Sequence, residues 1–129
     1  MLISNADLVT PQETGFSLEP GFYGHLLLNR GITDLRFFGK PFPEVYALVE
    51  DSLSQLNPTE IIMCGDRLHT DILGATARGW RSVLVTQNGM FSGHETDILC
   101  KKPGIFADWR VKRIKHSNIA GMPTMKILA

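Results

Sequence analysis

The stretch IIMCGDRLHTD, residues 61–71, decides how the rest of the chain is read. The apolar run from Ile61 to Cys64 has the length and composition of a strand buried on both faces in a parallel sheet. Gly65 lets the chain turn sharply, so Asp66 projects from the carboxyl end of that strand, and Asp71 follows in the next segment. Two readings of the acidic pair stand at this level. Oxygen donors from a few carboxylates, completed by water and phosphate, are what Mg²⁺ prefers. Negative charge at the start of a helix is also favoured by the helix dipole, so both aspartates have a purely structural use.

On the upstream side, Val45, Leu48, Val49, Leu53 and Leu56 fall at helical spacing over residues 43–56, and Asn57-Pro58 stops the run. Before them, Arg36-Phe37-Phe38 predicts a brief strand ended by Gly39-Lys40-Pro41. On the downstream side, a helix is expected near residues 70–78, with Thr70 or Asp71 at its start and Gly79 as a left-handed cap. A second buried strand, residues 82–86, ends at Gln87-Asn88-Gly89. Strand, helix, strand, helix, strand is the order of an α/β fold with a parallel sheet and flanking helices. Ligands of such sheets bind beyond the carboxyl ends of the strands, which would set Lys40, Asp66 and Asn88 along one edge. Lys40 can act there as a compact charge against an anion, or simply be an exposed loop lysine.

The flanks are less periodic. Pro20-Gly21 opens a helix through Leu28 that Gly31 closes, residues 10–19 read as loop, and residues 106–109 as a last short strand. The tail from Ser117 shows no periodicity. His69 reads as an exposed loop histidine; His25, His94 and His116 have no partner pattern; Trp80 and Trp109 read as packing on the sheet's flanks.

Thirteen basic side chains balance thirteen acidic ones, which argues against nucleic acid or an anionic membrane as partner. The basic stretch from Arg110 to His116 reads as a solvated surface segment. No apolar stretch reaches the roughly 20 residues of a membrane helix, and the start of the chain lacks the pattern of a signal peptide. The cytoplasm is therefore the expected compartment. Cys64 and Cys100 are too few and too far apart for a disulfide framework, Cys64 reads as a buried small hydrophobe, and no zinc-ligand spacing occurs.

Together, GKPFPEVY and IIMCGDRLHTDILGATARGWRSVLVTQNG resemble the third and fourth motifs of haloacid dehalogenase-like (HAD) phosphatases, in the branch with a large α/β cap that includes p-nitrophenyl phosphatase-like enzymes. The early LISNADLVTP is similar to that branch's Thr-Asn-Pro-Asp segment in the cap, with Ala6 in place of proline. The resemblance covers roughly residues 2–92. It implies a partial Rossmann-like core over residues 36–113, a remnant of the cap over 1–35, and an irregular tail over 114–129. It also implies Mg²⁺-dependent phosphomonoesterase chemistry through an aspartyl-phosphate. On that basis Lys40 corresponds to the lysine that contacts phosphate, Asp66 to the metal ligand, and Asp71 to the second acid that supports the metal waters or Lys40.

The family's nucleophile lies in an Asp-x-Asp stretch, and the acids before Lys40 are Asp7, Glu13, Glu19 and Asp34, with no such pair among them. The expectation is the C-terminal part of a longer enzyme, starting inside the cap and inactive alone. The alternatives are one half of a split Mg²⁺-dependent phosphatase completed by a chain carrying the N-terminal half, and a non-catalytic interaction module that self-associates. The ligand, if any, would be a phosphorylated small molecule whose identity is not legible.

Overall fold

The computed structural model describes residues 1–87, 92–93, 95–101 and 103–114. Its centre is a three-stranded parallel sheet of β5 (Ile62–Gly65), β6 (Arg81–Val85) and β7 (Trp109–Val111), in that spatial order. Helix α2 (Pro43–Ser52) leads into β5 through a 3₁₀ turn (Pro58–Glu60). Between β5 and β6 come a wide π-type turn (Leu68–Ile72) and α3 (Leu73–Ala77), and α4 (Thr96–Lys101) precedes β7. The parallel α/β architecture is the one expected.

Two small clusters build the core. Tyr46, Ile61, Ala75 and Trp80 are packed together with Val45, Val49, Leu53 and Met63 around them. Leu68, Ile72, Leu84 and Cys100 form the other, flanked by Ile105 and Ala107. Gly74 sits where α3 meets α2: a Cβ there would overlap the Tyr46 hydroxyl, so only glycine permits the approach. Gly79 takes φ +72° and ends α3 in the left-handed conformation its position required.

The N-terminal region is different in kind. β1 (Leu2–Ile3) pairs in parallel with β4 (Arg36–Phe37), and α1 (Pro20–Asn29) packs on them closely enough that a Cβ on Gly24 would overlap the Phe37 ring. Residues 10–19 are not loop: β2 (Val9–Gln12) and β3 (Gly15–Leu18) form an antiparallel hairpin. The Pro, Gly, Thr and Ser that read as loop are accommodated at its turn and along strands that show no hydrophobic alternation.

Other expectations are corrected. β4 does not join the main sheet; it pairs with β1 in a separate two-stranded sheet. α2 ends at Ser52 rather than 56, since Leu53 leaves helical geometry and donates to Glu50 and Val49. The final strand begins at Trp109, after residues 106–108, and Trp109 is half exposed rather than packed.

The largest correction concerns β5. Ile62 is 43% exposed and Cys64 is exposed, so the strand is not buried on both faces. Arg81 N–H donates to Ile61 O at 2.9 Å, which fixes the alternation of the ladder. The backbone groups of Ile62 and Cys64 thus face away from β6, toward an edge that no strand covers among the described residues.

Candidate functional site

Gly65 ends β5, and the chain turns so that Asp66 stands at the carboxyl edge of the sheet, half-buried. Arg67 O then accepts from both Asp71 N and Ile72 N, at 3.0 and 3.2 Å, and this widened turn swings Asp71 back under the strand end. A Cβ on Gly65 would overlap the Asp71 carboxylate, so the Gly-Asp order is what lets the acid lie there. The Asp71 side chain is 3% exposed.

Each Asp71 oxygen has a partner. Oδ1 accepts from Lys40 Nζ at 2.5 Å, and Oδ2 accepts from Arg67 N–H at 3.1 Å. Lys40 lies in the loop after β4, beyond Gly39 (φ +79°), and its side chain is 44% exposed. One end of its ammonium is therefore fixed by a buried acid while the rest faces solvent. A lysine presents three donors, so donors remain for an anion approaching from outside.

Below this pair, Tyr46 Oη donates to Thr70 O at 2.8 Å. Burial first, and the Asp71 charge second, push the Tyr46 hydroxyl up to about 12. The tyrosine is thus a neutral donor that pins the backbone of the turn. Thr70 is itself buried, and its Oγ1 has no partner among the described residues. His69, by contrast, is exposed.

Of the residues expected along one edge, the structure joins Lys40 to Asp71 and sets Asp66 at the end of the same strand. Lys40 reaches the edge although β4 belongs to another sheet. Asn88 lies outside the described residues, as do His94, His116 and the tail from 115. Arg67 was passed over in the sequence, yet its guanidinium bridges to Asp7 at 2.9 Å and donates to Val9 O and Thr10 Oγ1 at 3.0 and 3.2 Å. Nothing in local spacing marks a contact across 58 residues.

The donor set suits a hard cation in part. Asp66 offers carboxylate oxygens, and Mg²⁺ commonly takes one or two carboxylates with water and phosphate oxygens. Asp71 has both oxygens engaged, and among the described residues no group of three His, Cys, Asp or Glu is placed to hold a metal. Asp66 would therefore hold Mg²⁺ with water, phosphate or other oxygens completing the shell, not as part of a cluster of acids among the described residues.

An open cavity of about 480 Å³ lies at the opposite end, lined by Leu53, Leu56, Pro58, Ile61, Glu50 and Arg78. Its two charged groups neutralise each other in an ion pair, and the Ser54 hydroxyl is the other polar side chain lining it. The Lys40–Asp71 pair and Asp66 lie away from it, at the carboxyl edge.

Residues 37–108 match the HAD-hydrolase-like family. No curated protein matches the chain. Among solved structures, it is similar to a possible sugar phosphatase of the HAD superfamily from Cytophaga hutchinsonii, with TM-score 0.73 and 26% identity over 86% of this chain and 40% of that one. A p-nitrophenyl phosphatase from Archaeoglobus fulgidus gives TM-score 0.67 and 25% identity over 84% of this chain and 41% of that one. A double mutant of a thermostable NPPase from Geobacillus stearothermophilus gives 0.63 and 27%, over 84% and 40%. The chain thus spans about 40% of the length of the structures it matches.

Proposed function

Because the chain belongs to the HAD-hydrolase-like family, we propose that it carries the cationic and metal-binding part of a phosphoryl-transfer site and that these 129 residues do not turn over a phosphomonoester by themselves. The observation that carries this reading is the ion pair of exposed Lys40 with buried Asp71 at the end of β5. Asp71 holds the ammonium in place, and the ammonium offsets the charge of a phosphoryl group at the sheet edge. Asp66 would hold Mg²⁺ beside it; when bound, the metal supplies a second positive charge against the phosphate oxygens.

What the sequence does not hold is the covalent partner. It contains no Asp-x-Asp before Lys40, and of the acids there Asp7 is paired with Arg67. Charge stabilisation without a nucleophile leaves phosphate bound and unreacted. The 129-residue chain with Mg²⁺ and p-nitrophenyl phosphate is expected to release no p-nitrophenol, while inorganic phosphate perturbs the Lys40 ammonium signal in NMR. Steady turnover that Asp66→Asn abolishes would overturn the reading.

The edge of β5 that no strand covers among the described residues favours a second reading, in which another chain adds a strand there and supplies the nucleophile to a phosphorylated small molecule. Activity restored by mixing the chain with such a partner supports it; a second copy of this chain on that edge, seen as a dimer in sedimentation, would count against it. Two free cysteines agree with a reducing compartment, and we place the chain in the cytoplasm. No described helix is long and apolar enough to cross a membrane.

A further inference from the structure

We infer that Arg67 is a positioning residue that makes the seating of the β2–β3 hairpin and the aim of the Lys40–Asp71 pair one cooperative unit. The inference rests on reading that pair as the anion-binding part of the site. Its basis is that one residue serves both structures with different groups. The Arg67 guanidinium is paired with Asp7 at 2.9 Å and donates to Val9 O and Thr10 Oγ1, all in the segment that enters and begins β2. Its backbone N–H donates to Asp71 Oδ2 at 3.1 Å, and its carbonyl accepts from Asp71 N and Ile72 N.

The side chain is 19% exposed and Asp7 26% exposed, so the clamp is shielded from solvent more than a surface ion pair. A planar guanidinium with three partners in fixed directions leaves little rotational freedom to the residue that bears it. The clamped segment is itself held: Asp7 N–H donates to Asn5 Oδ1, Glu19 N–H donates to Leu8 O, and a Cβ on Gly21 would overlap Ala6 O. When the hairpin is seated, Arg67 cannot rotate without breaking these bonds. Its N–H then stays aimed at Asp71 Oδ2, and Asp71 presents Oδ1 to Lys40. When the hairpin lifts, the turn loses its anchor, and Asp71 keeps Lys40 with less directional support. A hairpin at the N-terminal side thereby controls how well the cation is held for a phosphate.

The test separates this coupling from a merely structural clamp. Asp7→Asn alters only the far end of the clamp and touches neither Lys40 nor Asp71 among the described contacts. In the 129-residue chain it is expected to speed amide exchange over residues 9–18 roughly three- to tenfold, and to speed exchange of the Lys40 ammonium protons by a similar factor. Arg67→Met should give the same two effects, and the double variant nothing further, as befits one unit. Hairpin exchange that rises while the Lys40 ammonium stays unchanged would overturn the inference, as would additive effects. Should Arg67→Met fail to fold, Asp7→Asn alone decides. A wild-type Lys40 signal indifferent to phosphate would sink the site reading and leave the coupling standing; the two failures are therefore distinguishable.

Discussion

Opposite ends of the central sheet each hold a carboxylate against a cation, and the two pairs are built differently. At the amino end, Glu50 Oε1 accepts from Arg78 Nε at 2.8 Å and Trp80 Nε1 at 3.0 Å, while Oε2 pairs with Arg78 Nη2. The acid is saturated by a two-pronged arginine and an indole, and little is left for a ligand. At the carboxyl end, a buried aspartate meets a lysine that is 44% exposed, and a point charge holds no fixed orientation of its own. Arginine at one end locks α2 to the start of β6; lysine at the other leaves charge available. The lesson is that partner choice, more than the presence of an ion pair, separates scaffold from site.

Tyr46 joins the two ends, since its hydroxyl bonds Thr70 O near the site and its ring meets Trp80 edge-on at 5.4 Å. Tyr46→Ala should therefore have the largest effect, a loss of about 3–5 kcal/mol. Urea denaturation would show it, and a loss under 1 kcal/mol would mean the ends are independent. The next effect is one of pH. The Tyr46 hydroxyl ionises near 10 when unfolded and at about 12 when folded, so the folded state binds the proton more tightly. The stabilisation is complete below pH 10 and is lost as pH rises through 12, with a slope approaching about 1.4 kcal/mol per pH unit between. Urea midpoints across that window check this, and Asp71→Asn should narrow it because the Asp71 charge is one cause of the shift.

The smallest effects bear most directly on the comparison. Glu50→Ala strands an arginine and an indole and should cost about 1–3 kcal/mol, with the response of Lys40 to phosphate unchanged. Lys40→Met takes one of two partners from the buried Asp71 carboxylate and should also cost about 1–3 kcal/mol, and it removes phosphate binding measured by calorimetry. If phosphate binding survives Lys40→Met, both ends are scaffold.

How much of this was legible in residues 61–71 depended on what the pattern encodes. The strand, the turn at Gly65 and the acids beyond it follow from an apolar run ending in Gly-Asp, and the parallel sheet follows from the order of elements. The hairpin over residues 9–18 was missed because β2 and β3 carry Pro11, Gly15 and Ser17 without alternation, so only their pairing makes them strands. The exposure of Cys64 was missed because an apolar run reports what a strand could bury, while burial depends on a neighbouring element. β4 was assigned to the wrong sheet for the same reason: a two-residue strand carries no record of its partner. Arg67 was invisible since its contacts lie more than 50 residues away. The resemblance left Asp71 to support either the metal waters or Lys40, and the structure pairs it with Lys40.

The exposed thiol of β5 offers a practical handle. Cys64 is open to solvent whereas Cys100 is fully buried, so a single reagent addition should mark one position per native chain. A fluorophore there would sit on the strand whose outer edge is bare among the described residues, two residues from Asp66, where its emission would register anything that arrives at that edge.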